Sequence, residues 1–297
     1  MLYTMTTRLA LLAATLALAG CGSADTGLTT TPQMLRFSAI PDQNTTELQE
    51  KFRPLEKYLS STLGVTIEYL PARDYQAAVE MFVNGDVGLA WYGGLTGVQA
   101  RSRVEGARAM AQGDADAAYY SYFIAHKDTG LTRSDAFPAG IEQYAFTFGS
   151  EQSTSGRLMP EYFILQYTGK TPQDFFQKPV GFSGSHDRTI QLVASGQYQV
   201  GVVNYKVYDQ QVQRKTVDPD AVRIIWQTPT YSDYNWTVRP DLDIRFGAGF
   251  TDRLQAALIA IKDPALLAAL PRERLIPASN QEYEAIQKVA AQLGMLR

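Results

Sequence analysis

Cysteine is almost missing from this chain. Its 297 residues include one, Cys21, so no disulfide can form within it and stability must come from an apolar core. Histidine is nearly as scarce. The two present, His126 and His186, stand far apart, and with no further thiol the usual metal-ligand spacings are lacking. No sign of charge dominates either. Twenty-seven Lys and Arg against 30 Asp and Glu leave a net charge of −3, which argues against a nucleic-acid partner. Beyond a short N-terminal run, no apolar stretch approaches the ~20 residues that span a bilayer. No nucleotide fingerprint is present: Trp91-Tyr92-Gly93-Gly94-Leu95-Thr96-Gly97 lacks the glycine spacing and the lysine of a phosphate loop. A hydrolase assembled from Ser153, His186 and Asp233 is disfavoured because no serine sits in a nucleophile elbow. These absences favour binding over catalysis, without metal or cofactor.

What is present begins at the N-terminus. Arg8 precedes an uncharged, mostly apolar run from Leu9 to Ala19, and Leu18-Ala19-Gly20-Cys21 has the form of a lipobox. Eleven residues suit a signal-peptide core and not a membrane span. Residues 1–20 are therefore expected to be a lipoprotein signal, with Cys21 the lipidated N-terminus. The small and polar residues that follow, within 21–34, read as a tether. Met5 is an alternative start.

From Leu35 onward strands alternate with amphipathic helices. LRFSAIP, VTIEYLP and VGLAWYGG read as strands. Asn44-Thr45-Thr46-Glu47 resembles a capping box before a helix with Leu48, Phe52, Leu55 and Leu59 on one face. A second run of the same kind follows near residue 130. The pattern predicts two α/β lobes, each a central sheet flanked by helices. Lobe 1 is expected over 35–128 and 230–297, and lobe 2 over 129–229. The chain would cross between them near 125–130 and 226–232.

Four loops carry candidate chemistry. Gly149-Ser150-Glu151-Gln152-Ser153-Thr154-Ser155-Gly156 joins a strand to a helix. A helix start leaves amides unpaired and favours negative charge, so Ser153, Thr154 and Ser155 could form a neutral cradle for an oxyanion. Simple N-capping would need only one of those hydroxyls. Phe182-Ser183-Gly184-Ser185-His186-Asp187 repeats the arrangement, with a neutral His186 as donor and Asp187 as helix cap. At Trp91-Tyr92-Gly93-Gly94 the glycines permit close backbone approach, and Tyr92 could offer its hydroxyl. Thr228 to Trp236, with Tyr231 and Asp233, falls at an expected crossing. Tyr75 is a weaker candidate, and His126 is expected to be structural.

AIPD, the Asp74-Tyr75 turn, DVGLAWYGG, STSG, GFSGSHD and TPTYSDYNWTVRPDL occur in one order over residues 35–297. In that order they resemble the phosphonate/phosphite/phosphate-binding subunits of ABC importers. DYNWTVRPDLD, FGAGFTD and IPASNQEYEAI are similar to a branch labelled as selenate-transport binding proteins. The resemblance implies a type II periplasmic-binding-protein fold with a tetrahedral oxyanion held by hinge closure. It implies partnership with a permease and an ATPase, and a monomer outside the cytoplasm. By position it carries Tyr92, Ser153, Thr154, Ser155 and His186 over as oxyanion contacts. It carries Asp233 over as the acceptor for a protonated anion, and leaves Tyr75, Gly93, Asn204 and Tyr231 as lesser candidates. Lys206 stands where some members place a glutamate for an ammonium, which argues against 2-aminoethylphosphonate. A sensor on the same fold, or a receptor for another small anion such as sulfate, remains open.

Overall fold

A computed structural model describes residues 33–138 and 140–296. The expected signal peptide, Cys21 and nearly all of the expected tether lie outside those residues. The order of elements is β1 Met34–Ala39, α1 Thr45–Leu63, β2 Thr66–Tyr69, α2 Tyr75–Asn84, β3 Leu89–Tyr92, α3 Gly94–Arg103 and β4 Arg108–Gly113. It continues through β5 Ser121–His126, β6 Phe146–Phe148, α4 Met159–Thr168, α5 Pro172–Phe175, β7 Gly181–Phe182, α6 His186–Ala194, β8 Val200–Asn204, α7 Tyr205–Gln213 and β9 Val222–Gln227. It ends with β10 Asn235–Val238, α8 Leu242–Phe246, α9 Phe250–Ile259, β11 Leu275–Pro277 and α10 Glu284–Gln292.

The strands form two mixed sheets. The first has the order β11-β4-β10-β3-β1-β2, with β1 parallel to β2 and β3, and β10 antiparallel to its neighbours. The second has the order β7-β6-β8-β5-β9, with β5 antiparallel to β8 and β9. Local signals explain much of this. Asn44 caps α1 by accepting the Glu47 amide at 3.1 Å, and α1 buries Leu48, Phe52, Leu55 and Leu59 against the first sheet. Burying such a side chain stabilises the fold by about 1.5–3 kcal/mol. Asp74 caps α2 by accepting the Ala77 amide, which holds Tyr75 at the start of that helix.

The topology corrects one lobe boundary. Residues 121–126 were expected in lobe 1, but β5 lies between β8 and β9 in the second sheet, with Ser121 opposite Asn204 and Gln227 opposite Tyr122. The first crossing is therefore 114–120 and not 125–130; the second is 228–234. The two crossings run antiparallel. Tyr119 and Tyr231 exchange both backbone hydrogen bonds, at 2.8 and 2.9 Å, and the Asp233 amide donates to Asp116 O at 3.0 Å. Arg272 braces this ribbon. Its guanidinium donates to Asp116 at 2.6–2.9 Å and lies against the rings of Tyr234, Tyr119 and Trp91.

A candidate anion site enclosed between the lobes

The Ser153 turn follows β6 and opens into a π-helical turn, Thr154–Leu158, ahead of α4. Ser153 caps it, its Oγ accepting the Gly156 amide at 2.8 Å. By helix geometry the amides of Thr154 and Ser155 have no intrahelical acceptor. All three hydroxyl residues are buried. Ser121 supports the turn from β5, donating to Ser155 O at 2.7 Å. With that proton committed, the Tyr231 hydroxyl 2.5 Å away must donate to Ser121 Oγ. Tyr231 thus positions the turn from behind.

His186 begins α6 and is fully buried. A Cβ placed on Gly156 would lie 3.1 Å from His186 Cε1, so the imidazole packs directly on the Ser153 turn. Burial drives its pKa down to about 3, so the ring is neutral at physiological pH. Nδ1 accepts the Asn204 amide at 3.3 Å. The ring proton therefore sits on Nε2, which is buried and has no partner. Asn204 acts by fixing that tautomer. Its side chain caps α7 at Val207 and donates to Tyr234 Oη at 3.0 Å.

Two helix starts bond across the gap. The α3 amide of Leu95, in lobe 1, donates to Thr154 Oγ1 of lobe 2 at 2.9 Å. The α6 amide of His186, in lobe 2, donates to Asp42 O of lobe 1 at 3.1 Å. The α6 tip was expected to keep its first amide free for an anion, and the structure corrects this: lobe closure uses it. Tyr234 Oη also donates to Asp42 Oδ2 at 2.8 Å, which ties Asn204, the second crossing and lobe 1 together. Burial lifts the Asp42 carboxyl to about 6.

Asp233 closes the ring. Its Oδ1 accepts the Gly94 amide at 2.9 Å, and the hydroxyl residues Thr154 and Ser155 lie beside its carboxyl. Oδ2 is buried without a partner. Burial raises the carboxyl from 3.8 to about 7. Gly93 is required for this approach: a Cβ there would meet Thr154 Oγ1 at 3.0 Å and Asp233 Oδ1 at 3.2 Å.

Two of the expected contacts point elsewhere. The Tyr92 hydroxyl donates to Ala78 O at 2.7 Å and its ring packs on Phe82, because β3 turns that side chain toward α2. Lys206 places its ammonium 5.2 Å from the centre of the Tyr205 ring, and its charge acts on Asp209 and Asp116. Two other tyrosines keep free hydroxyls. Tyr75 Oη and Tyr119 Oη are both buried and unpaired, Tyr75 beside Ser153 and Tyr119 close enough to feel the Asp233 charge. Sequence reading passed over Tyr119 as one of several strand aromatics. The signal available was its place next to the polar Asp114–Asp116 stretch, at a crossing set too late. One surface hollow of about 540 Å³, lined by Phe137, Tyr167 and Phe175, lies elsewhere, and one of about 290 Å³, lined by Gln43, Asn44 and Asp187, borders the site from outside. Unpaired polar atoms, not volume, mark this site.

Tyr75 Oη, Tyr119 Oη and His186 Nε2 are buried donors without a partner, and Asp233 Oδ2 is a buried acceptor without one, which suits a receptor for a small oxyanion. Residues 37–283 match the family model described as ABC transporter, phosphonate, periplasmic substrate-binding protein. The chain belongs to this family. It is 37% identical over 273 residues to the probable ABC transporter phosphite binding protein PhnD1 of Prochlorococcus marinus (strain MIT 9301), covering 90% of this chain and 92% of that one. The crystal structure of PhnD1 from that organism in complex with methylphosphonate superposes with a TM-score of 0.84 at 38% identity, over 89% of this chain and 99% of that one. The phosphonates-binding periplasmic protein of Escherichia coli (strain K12) is 26% identical over 201 residues, covering 66% of this chain and 57% of that protein. As a family member the chain is the periplasmic substrate-binding component of an ABC importer, working with a permease and an ATPase, and is not an enzyme. Its fold is that of the periplasmic binding proteins.

Proposed function

We propose that the chain captures a compact, singly protonated tetrahedral oxyanion, phosphite or methylphosphonate, by closing its lobes around it. The observation that carries this reading is the set of buried polar atoms without partners. Tyr75 Oη, Tyr119 Oη and His186 Nε2 can donate, and Asp233 Oδ2 can accept. An anion with one O–H satisfies all four, taking hydrogen bonds on its bare oxygens and giving its proton to Asp233. Sulfate and selenate carry no proton at neutral pH and would set a second negative charge against Oδ2. They are therefore placed behind phosphite and methylphosphonate. The 37% identical relative is named for phosphite, and the superposed crystal structure holds methylphosphonate.

Each donor bond to the anion contributes about 1.5–3 kcal/mol, so three or four, less ordering costs, support micromolar or tighter binding. Calorimetry with phosphite, methylphosphonate, phosphate, sulfate, selenate and 2-aminoethylphosphonate tests the reading. Ser155→Ala and His186→Ala should each weaken the preferred ligand at least about tenfold, roughly 1.4 kcal/mol. Wild-type affinity in both variants would end the assignment.

We also propose that Cys21 anchors the receptor through lipid and that it works as a monomer. The lipobox supports the first, and a site complete within one chain supports the second. Cys21→Ser should move the protein from the membrane to the soluble periplasmic fraction.

A further inference from the structure

The unpaired donors of the site stand on different lobes. Tyr75 starts α2 in lobe 1, and His186 starts α6 in lobe 2. Their spacing depends on how the lobes are registered, and one residue of lobe 1 holds His186 from both ends. Asp42 follows β1. Its amide donates to Ile40 O at 2.9 Å, closing a three-residue turn around Pro41, whose ring fixes φ near the value such a turn needs. The Ile40 amide donates to Trp91 O of β3 at 3.1 Å, so the turn is fastened to the first sheet.

From this base Asp42 offers two oxygens. Its carbonyl accepts the His186 amide at 3.1 Å, and its Oδ2 accepts the Tyr234 hydroxyl at 2.8 Å. Tyr234 Oη accepts from Asn204 Nδ2 at 3.0 Å, and the Asn204 amide donates to His186 Nδ1 at 3.3 Å. The bonds close a cycle from lobe 1 through the second crossing, β8 and α6 back to lobe 1. Their directions are forced. The ionised carboxylate only accepts, so it takes the one Tyr234 proton. Asn204 Oδ1 already accepts the Val207 amide at 2.7 Å, which turns the Asn204 N–H₂ toward Tyr234. The Tyr234 ring is stacked on Trp91, centroids 5.6 Å apart, so its hydroxyl has little freedom. Every member is buried, and Asp42, the most exposed, is 7% accessible. A link lost here strands a donor away from water.

We infer, resting on the reading of His186 Nε2 as an anion contact, that Asp42 is a positioning residue for anion capture. It grips His186 by the backbone and, through Tyr234 and Asn204, by the ring, and so sets Nε2 against the donors of lobe 1. Its carboxylate lengthens the stay of the anion without choosing among anions, unlike Asp233. Calorimetry and stopped-flow on the full chain, with phosphite and methylphosphonate as probes, test this. Asp42→Ala and Tyr234→Phe should each raise Kd about tenfold, mostly through faster release, and by the same factor for both probes. Asp42→Asn keeps an oxygen for the Tyr234 hydroxyl and should stay within about threefold of the wild type. A double-mutant cycle with His186→Ala separates positioning from plain structural support. In that background either substitution should cost less than about threefold more, because the group it positions is gone. If Asp42→Ala folds poorly, Tyr234→Phe, which keeps the ring, carries the test. Wild-type affinity in Asp42→Ala and Tyr234→Phe, or full tenfold losses that persist on top of His186→Ala, overturn the role of Asp42 and leave His186 as a contact. So does an Asp42→Asn as weak as Asp42→Ala, since an acceptor alone then does not suffice. Wild-type affinity in His186→Ala, or a wild type that binds neither probe, brings down the anion reading and the role of Asp42 together.

Discussion

Asp233→Asn removes the only carboxylate oxygen in the ring without altering its shape. Asn keeps an oxygen for the Gly94 amide, now 2.9 Å from Oδ1, and puts an N–H₂ donor where Oδ2 stands. In the wild type one proton lies between Oδ2 and the anion, a charge-assisted bond worth about 1.5–3 kcal/mol. An anion with no proton exchanges that gain for repulsion between unit charges, about 4 kcal/mol at 4 Å and an effective dielectric of 20. With Asp233 ionised, above about pH 7, a singly protonated anion should therefore outbind sulfate and selenate by at least about a hundredfold. The pH dependence follows from the same proton. Burial raises the Asp233 carboxyl from its ordinary 3.8 to about 7, so folding it away from water takes up a proton between those values. The stabilisation is complete below about 4 and is lost as pH rises through about 7, at about 1.4 kcal/mol per unit. Wild-type affinity should thus fall as pH rises from 7 to 9, where neither partner supplies the proton. In Asp233→Asn, phosphite should weaken, sulfate and selenate should strengthen, and the slope should flatten. Calorimetry at three pH values measures all of this. If the wild type binds selenate as tightly as phosphite at pH 8, or the variant keeps the wild-type preference, Asp233 does not read the ligand's proton.

Gly93→Ala should hinder closure, because its Cβ would meet Thr154 Oγ1 at 3.0 Å and Asp233 Oδ1 at 3.2 Å; stopped-flow should show faster ligand release with the unfolding midpoint nearly unchanged. Thr154→Val leaves the Leu95 amide without its acceptor, costing about 1–3 kcal/mol of closed-form stability, whereas Thr154→Ser should restore it; equal affinities for the two would argue against this bond across the cleft. Arg272→Met strands Asp116 in the hinge and should lower unfolding stability by about 3–5 kcal/mol in urea, with Asp116→Asn in the same chain recovering part of it.

The local elements follow from neighbouring residues alone. Asn44 and Asp74 cap helices from their own chain neighbours, and the apolar face of α1 is written at helical spacing, so these need no tertiary information. The hydroxyl turn and His186 were legible for the same reason: strand-to-helix junctions announce their unpaired amides. Which side chains share the enclosed space depends on long-range packing. Tyr92, at the end of β3, and Tyr119, in the first crossing, are both buried, yet one hydroxyl meets Ala78 O and the other meets no partner. Nothing in their immediate sequence separates them, because the difference depends on how β3 faces α2 and on where the crossings run. The placement of β5 in the second sheet is likewise a matter of pairing with strands some 80 and 100 residues away, which local pattern does not encode. The same holds for the bonds that seal the cleft: Leu95 to Thr154 and His186 to Asp42 join groups that meet only once both lobes have formed.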